Sequence, residues 1–136
     1  MFGGRRLTYR TVTFRCADPG DWGCDEGGDP VTPGGKLVAD QIALSLAQRG
    51  ARVSDVEQHE YYGWAFSSHF GRDSFYQVVN APDNDVFLTI QMERYLLGRL
   101  LLRRPRLAFD GYCALVEATL NSIPSVSKVR WKEYTT

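Results

Sequence analysis

The chain lacks an excess of positive charge: 16 Lys and Arg balance 16 Asp and Glu, for a formal net charge of zero. A general nucleic-acid binder needs a basic surplus to neutralise phosphates, so that class is disfavoured and no nucleic-acid partner is expected. No apolar run approaches the ~20 residues of a membrane helix. The opening "MFGGRRLTYR" has charge but no apolar stretch behind it, which argues against a secretory leader and against a membrane partner. Cysteine is scarce, and Cys16, Cys24 and Cys113 leave one thiol over in any disulfide scheme. Reduced thiols in a cytoplasmic protein are the simpler expectation. Lysine is scarce too, with 3 against 13 arginines.

Catalytic and metal signatures are also missing. The run "GGDPVTPGGKL" places Gly35-Lys36 before a helix, but a phosphate loop needs glycine where Pro30 stands and Ser or Thr where Leu37 stands. An EF-hand aligned from Asp21 fails at Gly23 and Glu26. The intervals between Cys16 and Cys24, and between His59 and His69, are not those of zinc sites. Ser67, His69 and Asp73 lack a nucleophile elbow around them, and Glu57 and Glu60 have nothing to fix them in a pocket. No catalytic residue, metal or cofactor is therefore assigned.

What is present is a well-patterned α+β chain. Its 136 residues and 43% apolar content fit a single domain spanning 1–136. "RRLTYRTVTFRC" alternates as a strand, with Thr8, Arg10, Val12, Phe14 and Cys16 on one face. Residues 17–31 hold four glycines, two prolines and five acids, the composition of a loop. In "TPGGKLVADQIALSLAQRG", Thr32 is a candidate cap, Pro33 a first helical residue and Gly50 the stop. Val38, Ala39, Ile42, Ala43 and Leu46 form its apolar arc.

Residues 51–58 read as a short strand or extended linker. "YYGWAFSSHF", "SFYQVVN" and "VFLTIQM" then form a three-stranded meander. Alternation in the first puts Tyr62, Trp64, Phe66, Ser68 and Phe70 toward the helices, leaving Tyr61, Gly63, Ala65, Ser67 and His69 on the far side. Residues 93–106 read as a short helix, an extended segment or both. A second helix over 108–122 packs Phe109, Tyr112, Cys113, Val116, Leu120 and Ile123, and "SVSKVRWKEY" closes as a strand. These elements predict a two-layer sandwich: a mainly antiparallel sheet of about five strands, with two helices on one face.

The surface has two charge concentrations. Asp18, Asp21, Asp25, Glu26 and Asp29 surround Trp22, an aromatic anchor ringed by carboxylates. Arg94, Arg99, Arg103, Arg104 and Arg106 run without an intervening acid. A bipolar surface suits a protein partner, with the acidic loop as first candidate and the arginine segment as second.

The segments "PGGKLVADQIALSLAQRGARV", "EYYGWAF" and "PSVSKVRW", in that order, resemble small uncharacterised bacterial α+β proteins. The likeness covers most of residues 32–131. Some such proteins are encoded beside secreted antibacterial toxins and act as their immunity proteins. The resemblance implies a bacterial cytoplasmic protein that binds a cognate toxin and blocks its active site, and it carries over no catalytic residue. The rival expectations are a ligand-binding or enzymatic domain with a pocket near Tyr61 and His69, or an adaptor module of a larger complex.

Overall fold

Alternation of side chains along the strands explains most of the architecture. In β7 (Asp73–Asn80) every second residue is buried and the rest half-buried. Such a strand covers a core on one face and leaves the other open. The computed structural model describes residues 8–20, 23–24, 26–28, 30–60, 63–95 and 105–135. The same alternation places Val12, Phe14 and Cys16 of β1 (Thr8–Cys16), and Trp64, Phe66 and Ser68 of β6 (Gly63–Phe70), against the helices. Val86, Leu88 and Ile90 of β8 (Asp85–Tyr95) join them.

Among the described residues the main sheet has seven antiparallel strands, broadly the mainly antiparallel sheet of about five that the sequence predicts. Its order is β4 (Arg52–Val53), β6, β7, β8, β1 and β9 (Val126–Thr135), with β5 (Glu57–His59) also on β6. The meander β6-β7-β8 is as expected. The extra strands come from residues 51–58, where β4 (Arg52–Val53) and β5 (Glu57–His59) lie end to end along β6 as a broken edge. The far edge is β9 (Val126–Thr135), which pairs with β1, so the first strand lies between β8 and the last. One extra residue between Ser127 and Arg130 bulges β9, and Lys128 takes a φ of 56° there. Glu93 is the corresponding extra residue in β8.

Among the described residues two helices, α1 (Lys36–Gln48) and α2 (Pro105–Ser122), pack into one core with the sheet. The apolar arcs expected for them are the faces they bury. The helix α2 begins at Pro105, three residues earlier than the periodicity predicts; proline's fixed φ suits a helical start.

The expected cap of α1 is corrected. Gly35, at φ 104°, is the N-cap, and no side chain caps the helix. Thr32 is not available for that role because it belongs to β3 (Pro30–Thr32), paired with β2 (Gly23–Cys24). Residues 17–31 therefore contain a small hairpin, where the glycine content predicts loop throughout. The free amides at the start of α1 instead find carbonyls of that segment: Gly35 N–H donates to Gly20 O at 3.1 Å, and Val38 N–H to Pro19 O at 3.1 Å. At the other end Gly50 stops the helix as predicted. It adopts φ 104°, with Gly50 N–H on Ala47 O and Ala51 N–H on Leu46 O. That pair of hydrogen bonds closes the last turn over a left-handed glycine.

Between β6, β7 and α2 the core holds a polar knot. Tyr112 donates to Gln77 Oε1, and Ser68 Oγ lies 2.5 Å from Tyr112 Oη and 3.1 Å from Gln77 Oε1. Gln77 Nε2 donates to Phe66 O at 3.0 Å, so the buried amide is satisfied at both ends. Tyr112 stacks on Phe75 with ring centroids 3.9 Å apart.

Candidate functional site

Short-range hydrogen bonds tie the acidic segment to the body at its entry. Beyond the two bonds into α1, Cys16 N–H donates to Asn84 O at 2.9 Å and Ala17 N–H to Ser125 O at 3.0 Å. Asn84 Nδ2 returns to Cys16 O at 2.9 Å and Ala17 O at 3.2 Å. At its exit, the buried indole of Trp64 donates to Pro33 O at 2.8 Å. Gly20, at φ 104°, sits so close to Leu37 that an added Cβ would lie 2.9 Å from its nitrogen. Both ends of the segment are therefore fastened to the sheet–helix core.

Of the expected docking residues, Asp18 and Glu26 are exposed. Asp21, Trp22, Asp25 and Asp29 lie outside the described residues. In the arginine segment, Arg94 belongs to β8 opposite Ser74, while Arg99, Arg103 and Arg104 lie outside the described residues.

Ser67, His69 and Asp73 are not brought together. His69 is exposed on the outer face and its Nδ1 meets Ser74 Oγ at 3.0 Å. Asp73 is buried on the helix side, where its Oδ1 has no hydrogen-bond partner among the described residues. Tyr61, the other residue of the expected pocket, lies outside the described residues. Among the described residues no three His, Cys, Asp or Glu side chains converge to hold a metal ion. No helix among them is long and apolar enough to cross a membrane.

A cleft of about 400 Å³ lies elsewhere, between α2 and β9. Arg10 forms its floor, with 8% of its surface exposed. Its guanidinium contacts Asp110 at 2.6 Å and Glu133 at 3.0 Å, and lies 4.5 Å above the Phe109 ring. Burial alone would lower the Arg10 pKa, but hydrogen bonds to Asp110 and Cys113 outweigh it and raise it. Burial pushes the Cys113 thiol up to about 11 despite Arg10 beside it, so this cysteine is held as an un-ionised thiol. On the rim, Trp131 Nε1 donates to Glu117 Oε1 at 3.0 Å. The cleft's charges are thus largely paired within the chain.

Sequence reasoning passed over Arg10 as a site residue. The available signal was its position: a lone cation among Val12, Phe14 and Cys16 on the helix-facing side needs buried partners. Asp110 and Glu133 are remote in sequence and identifiable only once β1 is seen between β8 and β9.

The fold and surface define an open-faced two-layer α+β sandwich, with a fastened acidic hairpin at one end and a self-neutralised cleft along one edge. The chain matches no protein-family model and no curated protein.

Proposed function

We propose that this chain is a bacterial cytoplasmic immunity protein that binds a cognate secreted antibacterial toxin and occludes its active site with the acidic 17–31 segment. The observation that carries the reading is the anchorage of that segment. An inhibitor must present its contact residues without losing much conformational entropy on binding, and fastening both ends of a short hairpin lowers that loss. Carboxylates at 18, 21, 25, 26 and 29 are drawn to a basic cleft of the kind that handles phosphates. Trp22 supplies an aromatic contact able to slow dissociation once seated.

The test is co-expression with the secreted protein encoded beside this chain. Wild type protects the producing cells, whereas a variant with Asp21→Lys, Asp25→Lys and Glu26→Lys folds but fails to protect. Full protection by that folded variant would remove the acidic segment from the interface. The segment from Arg94 to Arg106 would then be the next surface to reverse.

A further inference from the structure

Both described helices share a core with the inner face of the seven-stranded sheet, and the side chains of its outer face form rows that the register fixes, exposed or half-buried except at Gly63 and Ala65, which are buried. One row runs Lys132, Thr11, Thr89, Val78, Ala65, Glu57 from β9 to β5. The next on one side runs Tyr9, Gln91, Tyr76, Ser67, and on the other Arg130, Thr13, Phe87, Asn80, Gly63, His59. Within these three rows the charge is bipolar, and exposed Arg52 of β4, opposite His69, lies on the same face beyond them. Exposed Arg130 and Lys132 mark the β9 edge, and exposed Glu57 marks the β5 edge, with Glu93 also near Tyr76. The centre is hydroxyl-rich and aromatic: Thr11 and Thr89 touch through their hydroxyls at 3.2 Å, and Phe87 is 40% exposed.

We infer that this face docks a second copy of the chain, sheet against sheet, about a two-fold axis parallel to the strands between β7 and β8. That axis exchanges β9 with β5, β1 with β6 and β8 with β7. Each row is then laid on itself in reverse. Lys132 faces the second copy's Glu57, and Tyr9 faces its Ser67. Tyr76 faces Gln91, Thr89 faces Val78, and the two Phe87 rings come beside the axis. Opposite charges meet at both ends and large side chains meet small ones, which is the self-complementarity a two-fold interface needs. Five strand spacings of about 4.8 Å by three rows about 7 Å apart give a footprint of roughly 600–800 Å² per copy once side-chain width is added. That approaches the area of a standard stable interface, and aligned sheets pack face to face in this manner.

This inference stands apart from the acidic segment and from the toxin-binding reading. The experiment is sedimentation velocity of the full chain from low to high micromolar concentration, with thermal melts of each variant to establish folding. Wild type should reach twice the 15.4 kDa chain mass. Each charge pair occurs twice across a two-fold axis. Glu57→Lys should therefore raise the dimer dissociation constant by about a hundredfold, if each copy of the pair contributes roughly tenfold. The double reversal Arg130→Glu with Lys132→Glu should do the same. Combining all three substitutions should restore the dimer, because the charges are exchanged rather than removed. Phe87→Arg, at the axis, should leave a folded monomer. A wild-type chain that stays monomeric would overturn the inference. So would a dimer indifferent to Glu57→Lys and Phe87→Arg, or a triple variant that does not reassociate.

Discussion

Removing the indole of Trp64 separates its packing from its hydrogen bond. The side chain is 7% exposed in β6, and its Nε1 donates to Pro33 O at 2.8 Å within the core. Trp64→Phe keeps an aromatic ring but removes the donor and part of the volume. The orphaned carbonyl costs about 1–3 kcal/mol and the smaller ring about 1–2 kcal/mol. A loss of about 2–5 kcal/mol is expected. Trp64→Ala adds a large cavity, and truncations of this size cost about 3–5 kcal/mol before the carbonyl is counted. The total of about 4–8 kcal/mol is a large part of the roughly 5–15 kcal/mol that holds a domain folded. Urea unfolding followed by far-ultraviolet circular dichroism avoids reliance on the deleted fluorophore, and the slope with urea should be unchanged. An alanine variant that lost under about 1 kcal/mol would refute the packing of this strand against the helices.

Further expectations rest on the same geometry. A Cβ on Gly63 would lie 2.1 Å from Val79 O, so Gly63→Ala should force β6 and β7 apart and cost at least about 3 kcal/mol by urea melt. Gly50 has φ 104° and open space around it, so Gly50→Ala should cost only about 1 kcal/mol, from backbone strain. Arg10→Met should change stability by less than about 1.5 kcal/mol, because its partners Asp110 and Glu133 reach water and are not stranded, whereas Arg10→Ala should cost about 2–4 kcal/mol through the void left under Phe109. The folded chain holds the Cys113 proton up to about 11, against an ordinary 9.0, and burial raises Tyr112 in the same direction. Their contribution is complete below pH 9 and declines as pH rises toward 11, since the unfolded chain deprotonates first. Urea midpoints should therefore fall over that window, and Cys113→Ala should flatten part of the fall.

Much of the architecture was readable from periodicity. The alternation in β6 named its buried face correctly at Trp64, Phe66 and Ser68, that in β1 grouped Arg10 with Val12, Phe14 and Cys16, and the 3.6-residue arcs of α1 and α2 named their buried faces. The glycine at 50 marked the end of α1 because the left-handed turn there demands it. What escaped were features set by distant parts of the chain. Residues 51–58 read as a short strand or linker, but their division into β4 and β5, of two and three residues, is too short for any period to register. The start of α1 is capped by Pro19 and Gly20 carbonyls rather than by Thr32, a backbone contact that leaves no mark on residue type. The placement of β1 between β8 and β9, which assembles the Arg10 cleft and the rows of the outer face, is a property of topology and not of any local pattern. At the candidate site the acidic composition was plain, and its fastening to the core at both ends was not.

Association kinetics of the purified chain with the secreted protein encoded beside it, measured by stopped flow across a salt series, test the proposed function most directly. If the acidic segment steers binding, the wild-type association rate is high at low salt and falls steeply as salt rises. The Asp21→Lys, Asp25→Lys, Glu26→Lys variant, with an unchanged circular dichroism spectrum, should associate at least about tenfold more slowly and lose that salt dependence. Equal rates and equal salt dependence for the wild-type and reversed chains would contradict the account.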